Sequence, residues 1–192
     1  MDEKAYASLA QNLAQENIDV YVLKSPLELP VLNTKAAGNL IGDKQLDSVY
    51  LAGHSLGGVV AAMDSKESNR VKGLILLASS PSEKTDLSKK KLAVLSITAS
   101  RDAVLNWDNY QSSKKRLPSS TEFFSDRRWQ SQWIWRLWTS KERQGGNYFC
   151  LSAKTSHRSS HFTIYPKTRT IKNWDAEHLQ FFVFLNFQEA AH

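Results

Sequence analysis

Gly53-His54-Ser55-Leu56-Gly57 is a G-x-S-x-G pentapeptide, and its flanks decide how it folds. Ahead of it lies the apolar run Val49-Tyr50-Leu51-Ala52. Behind it Gly58-Val59-Val60-Ala61-Ala62-Met63 has the small, apolar composition of a packed helix. Strand, tight turn and helix form the context in which this pattern has a mechanism. The turn lifts a serine oxygen out of the sheet edge, where a base can reach it. Glycines are needed there because the backbone at the serine is strained and neighbouring chain crowds it. The bland alternative is a glycine-rich helix start with an incidental serine. The strand, the helix and the extra Gly58 favour Ser55 as a nucleophile.

Working outward, the chain alternates between the two periods. Tyr6, Leu9, Ala10 and Leu13 predict an amphipathic helix over 4–16, and Ile18 to Leu23 a strand. Pro26 and Pro30 mark a loop, and Thr34 is placed to cap a short helix through Ile41. After strand 49–52 and helix 56–64, Val71 to Ala78 is a nearly unbroken apolar run, as in a strand buried on both faces of a parallel sheet. Ser79 to Lys91 reads as a solvated loop or short helix. Leu92 to Ile97 is a second buried strand and runs into Ser100-Arg101-Asp102. A helix from Trp107 to Lys115 and a strand from Thr121 follow. The fold class expected is α/β, a parallel sheet with flanking helices.

The chain has 192 residues, enough for a domain with its own core. Hydrophobic content of 41% and charged content of 23% are ordinary for a globular protein. No apolar stretch has the length of a membrane span, and the polar start lacks the apolar centre of a signal peptide. The single cysteine, Cys150, excludes an internal disulfide and a multi-cysteine metal site. A cytoplasmic location is expected, with no membrane partner, metal or cofactor. The net charge of +6 is unevenly placed. Residues 1–125 hold 15 Lys+Arg against 14 Asp+Glu, and residues 126–192 hold 10 against 5. The chain therefore divides into a nearly neutral core, 1–125, and an atypical basic segment, 126–192. In that segment Trp129, Trp133, Trp135 and Trp138 crowd together. Between 126 and 178 no helical or strand period is sustained, so it is expected to be irregular. The apolar run Leu179 to Leu185 fits a strand or a helix.

Residues 5 to about 124 resemble the small, lidless α/β-hydrolases of the dienelactone-hydrolase-like branch. The resemblance rests on Ala5 to Ala10, Lys24 to Leu27 through Val31 to Asn33, the Ser55 pentapeptide with Gly58, Gly73 to Ser79, and Val94 to Ile97 through Asp102. It implies that Ser55 is the nucleophile, that Asp102 orients a histidine, and that the Leu56 backbone N–H is half of an oxyanion hole. A serine hydroxyl attacks poorly until an imidazole takes its proton, and a carboxylate fixes the imidazole's tautomer. For Asp102 the alternative is an ordinary turn carboxylate. His54, the variable residue of the pentapeptide, is expected as a wall of the pocket.

Two departures from the family pattern stand out. The chain begins at the helix that normally follows the first oxyanion-loop strand, so an N-terminally truncated, incomplete fold is expected. The family's Gly-Gly-Asn-His, with a following Phe-Gly and Tyr-Gly, is missing after the strand at Thr121. The tryptophans offer a reason. TGG read one base later always gives a glycine codon, so the four become glycines at the spacing of that motif. The junctions Gln130/Ser131 and Ser131/Gln132 can then encode Asn and His. Residues from about 125 onward are accordingly expected to be an out-of-frame or disordered hydrolase C-terminus; a genuine divergent segment is the alternative. No catalytic histidine is identified. His157 and His161 are weak candidates in a polar, serine-rich stretch, with His178 and His192 further on.

The function expected is that of a serine hydrolase acting on an ester or related acyl bond of a small molecule through an acyl-enzyme, impaired in this chain. Two other classes stand beside it. The basic, aromatic C-terminal segment could bind nucleic acid, although nucleic acid is not the expected partner. The chain could also be a non-catalytic fragment.

Overall fold

A computed structural model describes positions 11 and 14, 19–23, 34–126, 151–156, 159–164, 169–174 and 180–184. Its centre is a six-stranded, all-parallel sheet. The strands are β1 (Asp19–Leu23), β2 (Val49–His54), β3 (Val71–Leu77), β4 (Ala93–Ala99), β5 (Glu122–Asp126) and, from the far end of the chain, Gln180–Phe184. Between the last two come β6 (Leu151–Ser156), β7 (Ser159–Ile164) and β8 (Arg169–Trp174), a separate antiparallel sheet, so Gln180–Phe184 is β9. The helices are α1 (Ala36–Asp43), α2 (Leu56–Glu67) and α3 (Trp107–Ser113).

The order across the large sheet is β1-β9-β2-β3-β4-β5. From β2 to β5 each strand lies beside its successor, with helices or loops returning the chain over the faces. The exception is β9, which pairs with β1 through Asp19↔Gln180 and with β2 through Val49↔Gln180. The central strands are mostly apolar because both faces are covered; Lys72 at the start of β3 is the exposed exception. Leu51, Leu74, Ile75, Leu76 and Leu95 are at most 1% exposed. Val60, Ala61 and Ala62 of α2 join Leu51, Leu74 and Leu76 in one cluster, and their small side chains let the helix lie close to the sheet.

Several expectations shift in detail. The helix starting near Thr34 is capped at Lys35 and no side chain bonds its first turn, so Thr34 is not a cap. Helix α2 runs on to Glu67, and a turn of 3-10 helix, Lys114–Arg116, follows α3. The stretch 79–91 is a loop, as expected, but it is not wholly solvated. Thr85 and Leu87 are buried, and Leu87 N–H donates to Arg116 O at 2.7 Å. The absence of a clear period between 126 and 178 does not prevent strands there: β6 and β7 are short and rich in Ser and Thr, and β8 mixes Arg, Lys and Asn with Ile and Trp, so hydrophobic alternation hardly marks them. The helix expected over 4–16 is helical at both described positions, 11 and 14. The rest of it and the Pro26–Pro30 loop lie outside the described residues.

Candidate active site

Three strands, β2, β3 and β4, end at one edge of the sheet, and their following residues line a cavity of about 320 Å³. In a parallel sheet, the carboxyl ends of the strands are where ligand sites form. Ser55 follows β2, Ser79 and Ser80 follow β3, and Asp102 follows β4; all four line the cavity. The structure thus brings Ser55 and Asp102 to the wall of one cavity.

Ser55 is the N-cap of α2 and has φ 53° and ψ −124°. This is a left-handed region that costs a non-glycine residue of order 1–3 kcal/mol. The strain exists because the chain must reverse from strand to helix within one residue. Gly53 and Gly58 make the reversal sterically possible. A Cβ on Gly53 would run into the Gly57 carbonyl and the Gly58 nitrogen, and one on Gly58 would meet the Ser79 side chain. Hydrogen bonds hold the corner. Ser55 N–H donates to Leu77 O at 3.0 Å, and Ser55 O accepts from Gly58 N–H at 3.0 Å and from Ser79 Oγ at 2.6 Å. The corner leaves the first N–H groups of α2, beginning with Leu56, at the positive end of the helix beside the cavity.

Asp102 is 3% exposed. Its Oδ1 accepts from the backbone N–H groups of Val104 and Leu105, both at 2.9 Å, and its backbone carbonyl accepts from Trp107 Nε1 at 2.9 Å. The turn thus clamps one carboxylate oxygen. Its Oδ2 is buried with no hydrogen-bond partner. A buried, unpaired carboxylate oxygen is costly, and this one belongs to a residue of the cavity wall.

His54 also lines the cavity, as expected of a wall residue. Both ring nitrogens are buried without a partner. Burial holds its imidazole below the usual histidine range, and the Asp102 charge partly opposes that. Leu56, Val59, Val104 and Leu105 supply the apolar lining, and Asn106 and Asn109 a polar rim at the start of α3. Asn106 Oδ1 accepts from Asn109 N–H at 2.9 Å, which caps that helix. The side chains of His157, His161, His178 and His192 lie outside the described residues. Ser79 was not singled out from the sequence; its signal was a polar residue directly after a fully buried parallel strand.

Among the described residues no group of three or more His, Cys, Asp or Glu is placed to hold a metal ion. Among them, too, no helix is long and apolar enough to cross a membrane.

A family model described as the alpha/beta hydrolase family matches residues 1–126. Among solved structures, the chain is similar to the esterase domain of a Rhodothermus marinus protein, with a TM-score of 0.48 and 16% identity over 66% of this chain and 70% of that one. No curated protein matches the sequence.

Proposed function

From the premise that the chain belongs to the alpha/beta hydrolase family, we propose that it is a serine hydrolase cleaving an ester or related acyl bond of a small molecule through an acyl-enzyme. Ser55 Oγ would attack the acyl carbon while its proton passes to a base. The Leu56 N–H would hold the oxygen that becomes negative. Collapse would expel the protonated leaving group, and water would then release the acid and restore Ser55. Asp102 would hold an imidazole through its free Oδ2. The observation that carries this reading is the meeting, in one cavity, of a serine on a positive-φ corner and a buried carboxylate with one oxygen clamped and one unpaired.

Attack by Ser55 needs a base. His54, the histidine whose side chain is described, lines the cavity with both ring nitrogens buried away from solvent. His157 and His161 are the remaining candidates. Loss of a triad histidine lowers kcat on the order of 10⁶-fold, and attack of Ser55 on a phosphonyl probe needs the same base, so this chain is expected to label slowly at Ser55 and to turn over slowly. A fluorophosphonate probe tests the reading: a mass shift of one probe adduct on the parent chain, and none on Ser55→Ala. Equal labelling of both chains would overturn it.

Two narrower proposals accompany this one. The dienelactone-hydrolase-like branch is favoured by the order and spacing of the matching segments from Ala5 to Asp102. An out-of-frame origin for residues from about 125 is favoured by the spacing of Trp129, Trp133, Trp135 and Trp138. The nucleotide sequence decides the second, which fails if the frame one base later lacks Gly-Gly-Asn-His there.

A further inference from the structure

Ser55 and Ala78 stand side by side at the ends of β2 and β3, and both have positive φ, 53° and 45°. Neither is glycine, so the surrounding structure must hold each in place. Backbone bonds do part of this: Ser55 N–H donates to Leu77 O at 3.0 Å and Ala78 N–H to Ile97 O at 2.9 Å. The bend at Ala78 then carries Ser79 back across the corner. There its hydroxyl, on a residue 3% exposed, donates to Ser55 O at 2.6 Å. That oxygen already accepts the Gly58 N–H, so the Ser79 bond is additional to the helix's own ladder.

The oxygen that Ser79 grips belongs to the same planar peptide as the Leu56 N–H. In a trans peptide the C=O and N–H point in opposite directions, so fixing the oxygen fixes the line along which the N–H points. A hydrogen bond at the oxygen also polarises the peptide and strengthens its N–H as a donor. Gly58 fits this arrangement, since a Cβ there would meet Ser79 Oγ. We propose that Ser79 is a positioning residue that aims and polarises the Leu56 N–H toward the oxyanion formed when Ser55 attacks. The inference rests on Ser55 being the nucleophile.

An alkyl fluorophosphonate reads this on the full chain without requiring turnover. Ser55 Oγ bonds phosphorus, fluoride leaves with the P–F electron pair, and the hydroxyl proton passes to solvent. The phosphoryl oxygen then sits where the oxyanion would. Ser79→Ala is expected to lower the maximal labelling rate about tenfold while leaving the half-saturating probe concentration within about twofold. It is also expected to move the ³¹P resonance of the adduct, which reports hydrogen bonding at the phosphoryl oxygen. Ser79→Thr keeps the hydroxyl and is expected to recover the rate to within about threefold. Should Ser79→Ala not fold, Ser79→Cys, with a weaker donor of similar shape, carries the same comparison. A parental labelling rate in the donor-weakened variant, or an unmoved ³¹P resonance, overturns the role of Ser79. Ser55→Ala separates the two claims. Labelling that persists in Ser55→Ala, or a parent that does not label, defeats the nucleophile reading and this inference with it. Labelling that vanishes in Ser55→Ala yet runs at the parental rate in Ser79→Ala defeats Ser79 alone.

Discussion

Asp64, in the last turns of α2, and Asp102, in the turn after β4, are almost equally hidden, 5% and 3% exposed, and the protein treats them in opposite ways. Each has an Oδ2 without a partner. Asp102 is met by two backbone N–H groups, so the turn is built around a carboxylate. Asp64 sits on the helix itself, and burial, with Glu67 adding to it, pushes its pKa up to about 7. Burial alone therefore does not distinguish the two carboxylates. What separates the two is whether the backbone supplies donors and whether the free oxygen belongs to a cavity wall.

The contrast breaks most sharply at Asp102. Asp102→Ala strands the Val104 and Leu105 N–H groups and is expected to destabilise the fold by about 3 kcal/mol at pH 7, since bonds to a charged acceptor contribute roughly 1.5–3 kcal/mol. Urea denaturation measures it, and an unchanged midpoint would mean that the turn holds itself.

Asp64 should show the reverse sign. Folding raises its pKa from 3.8 to about 7, so across that window the folded chain binds more protons than the unfolded one. Stability attributable to Asp64 is thus present at low pH and lost as pH rises toward 7. Between pH 5 and pH 9, Asp64→Asn is expected to gain about 2 to 3 kcal/mol on the parent, because about two pH units of that window lie above pH 5. Melting curves at the two pH values decide it; a variant less stable at both would show that Asp64 has a charged role.

The smallest effect falls on His54, whose pKa burial lowers from 6.5. Its contribution is complete above pH 6.5 and lost as pH falls below that, because the unfolded chain then takes up the proton first. His54→Phe is expected to flatten this acid limb below pH 6.5. An acid limb of parental slope would place the titration elsewhere.

The fold was legible where burial writes an unambiguous pattern. Val71–Leu77 and Ala93–Ala99 read as strands because both faces are covered and almost every position is apolar. The Ser55 corner was legible because its glycines are forced by crowding at Gly53 and Gly58. Ser79 was not, because its place depends on a positive φ at Ala78, where no glycine announces the bend. Neither was the pairing of Gln180–Phe184: an apolar run says that a strand exists and nothing about its neighbours. Leu87 escaped for a related reason, a single anchor in a lysine-rich loop.

The position of β9 has a consequence for how the molecule comes into being. Strands β1 and β2 are made well before β9, yet each takes Gln180–Phe184 as its shared neighbour. During synthesis both would leave the ribosome with a hydrogen-bonding edge unsatisfied, and the slot between them would close only once Gln180–Phe184 had been made. Such long-range parallel pairing is slow and exposes strand edges to other chains while it waits. The interval between making Val49 and making Gln180 is when this protein would most need a chaperone.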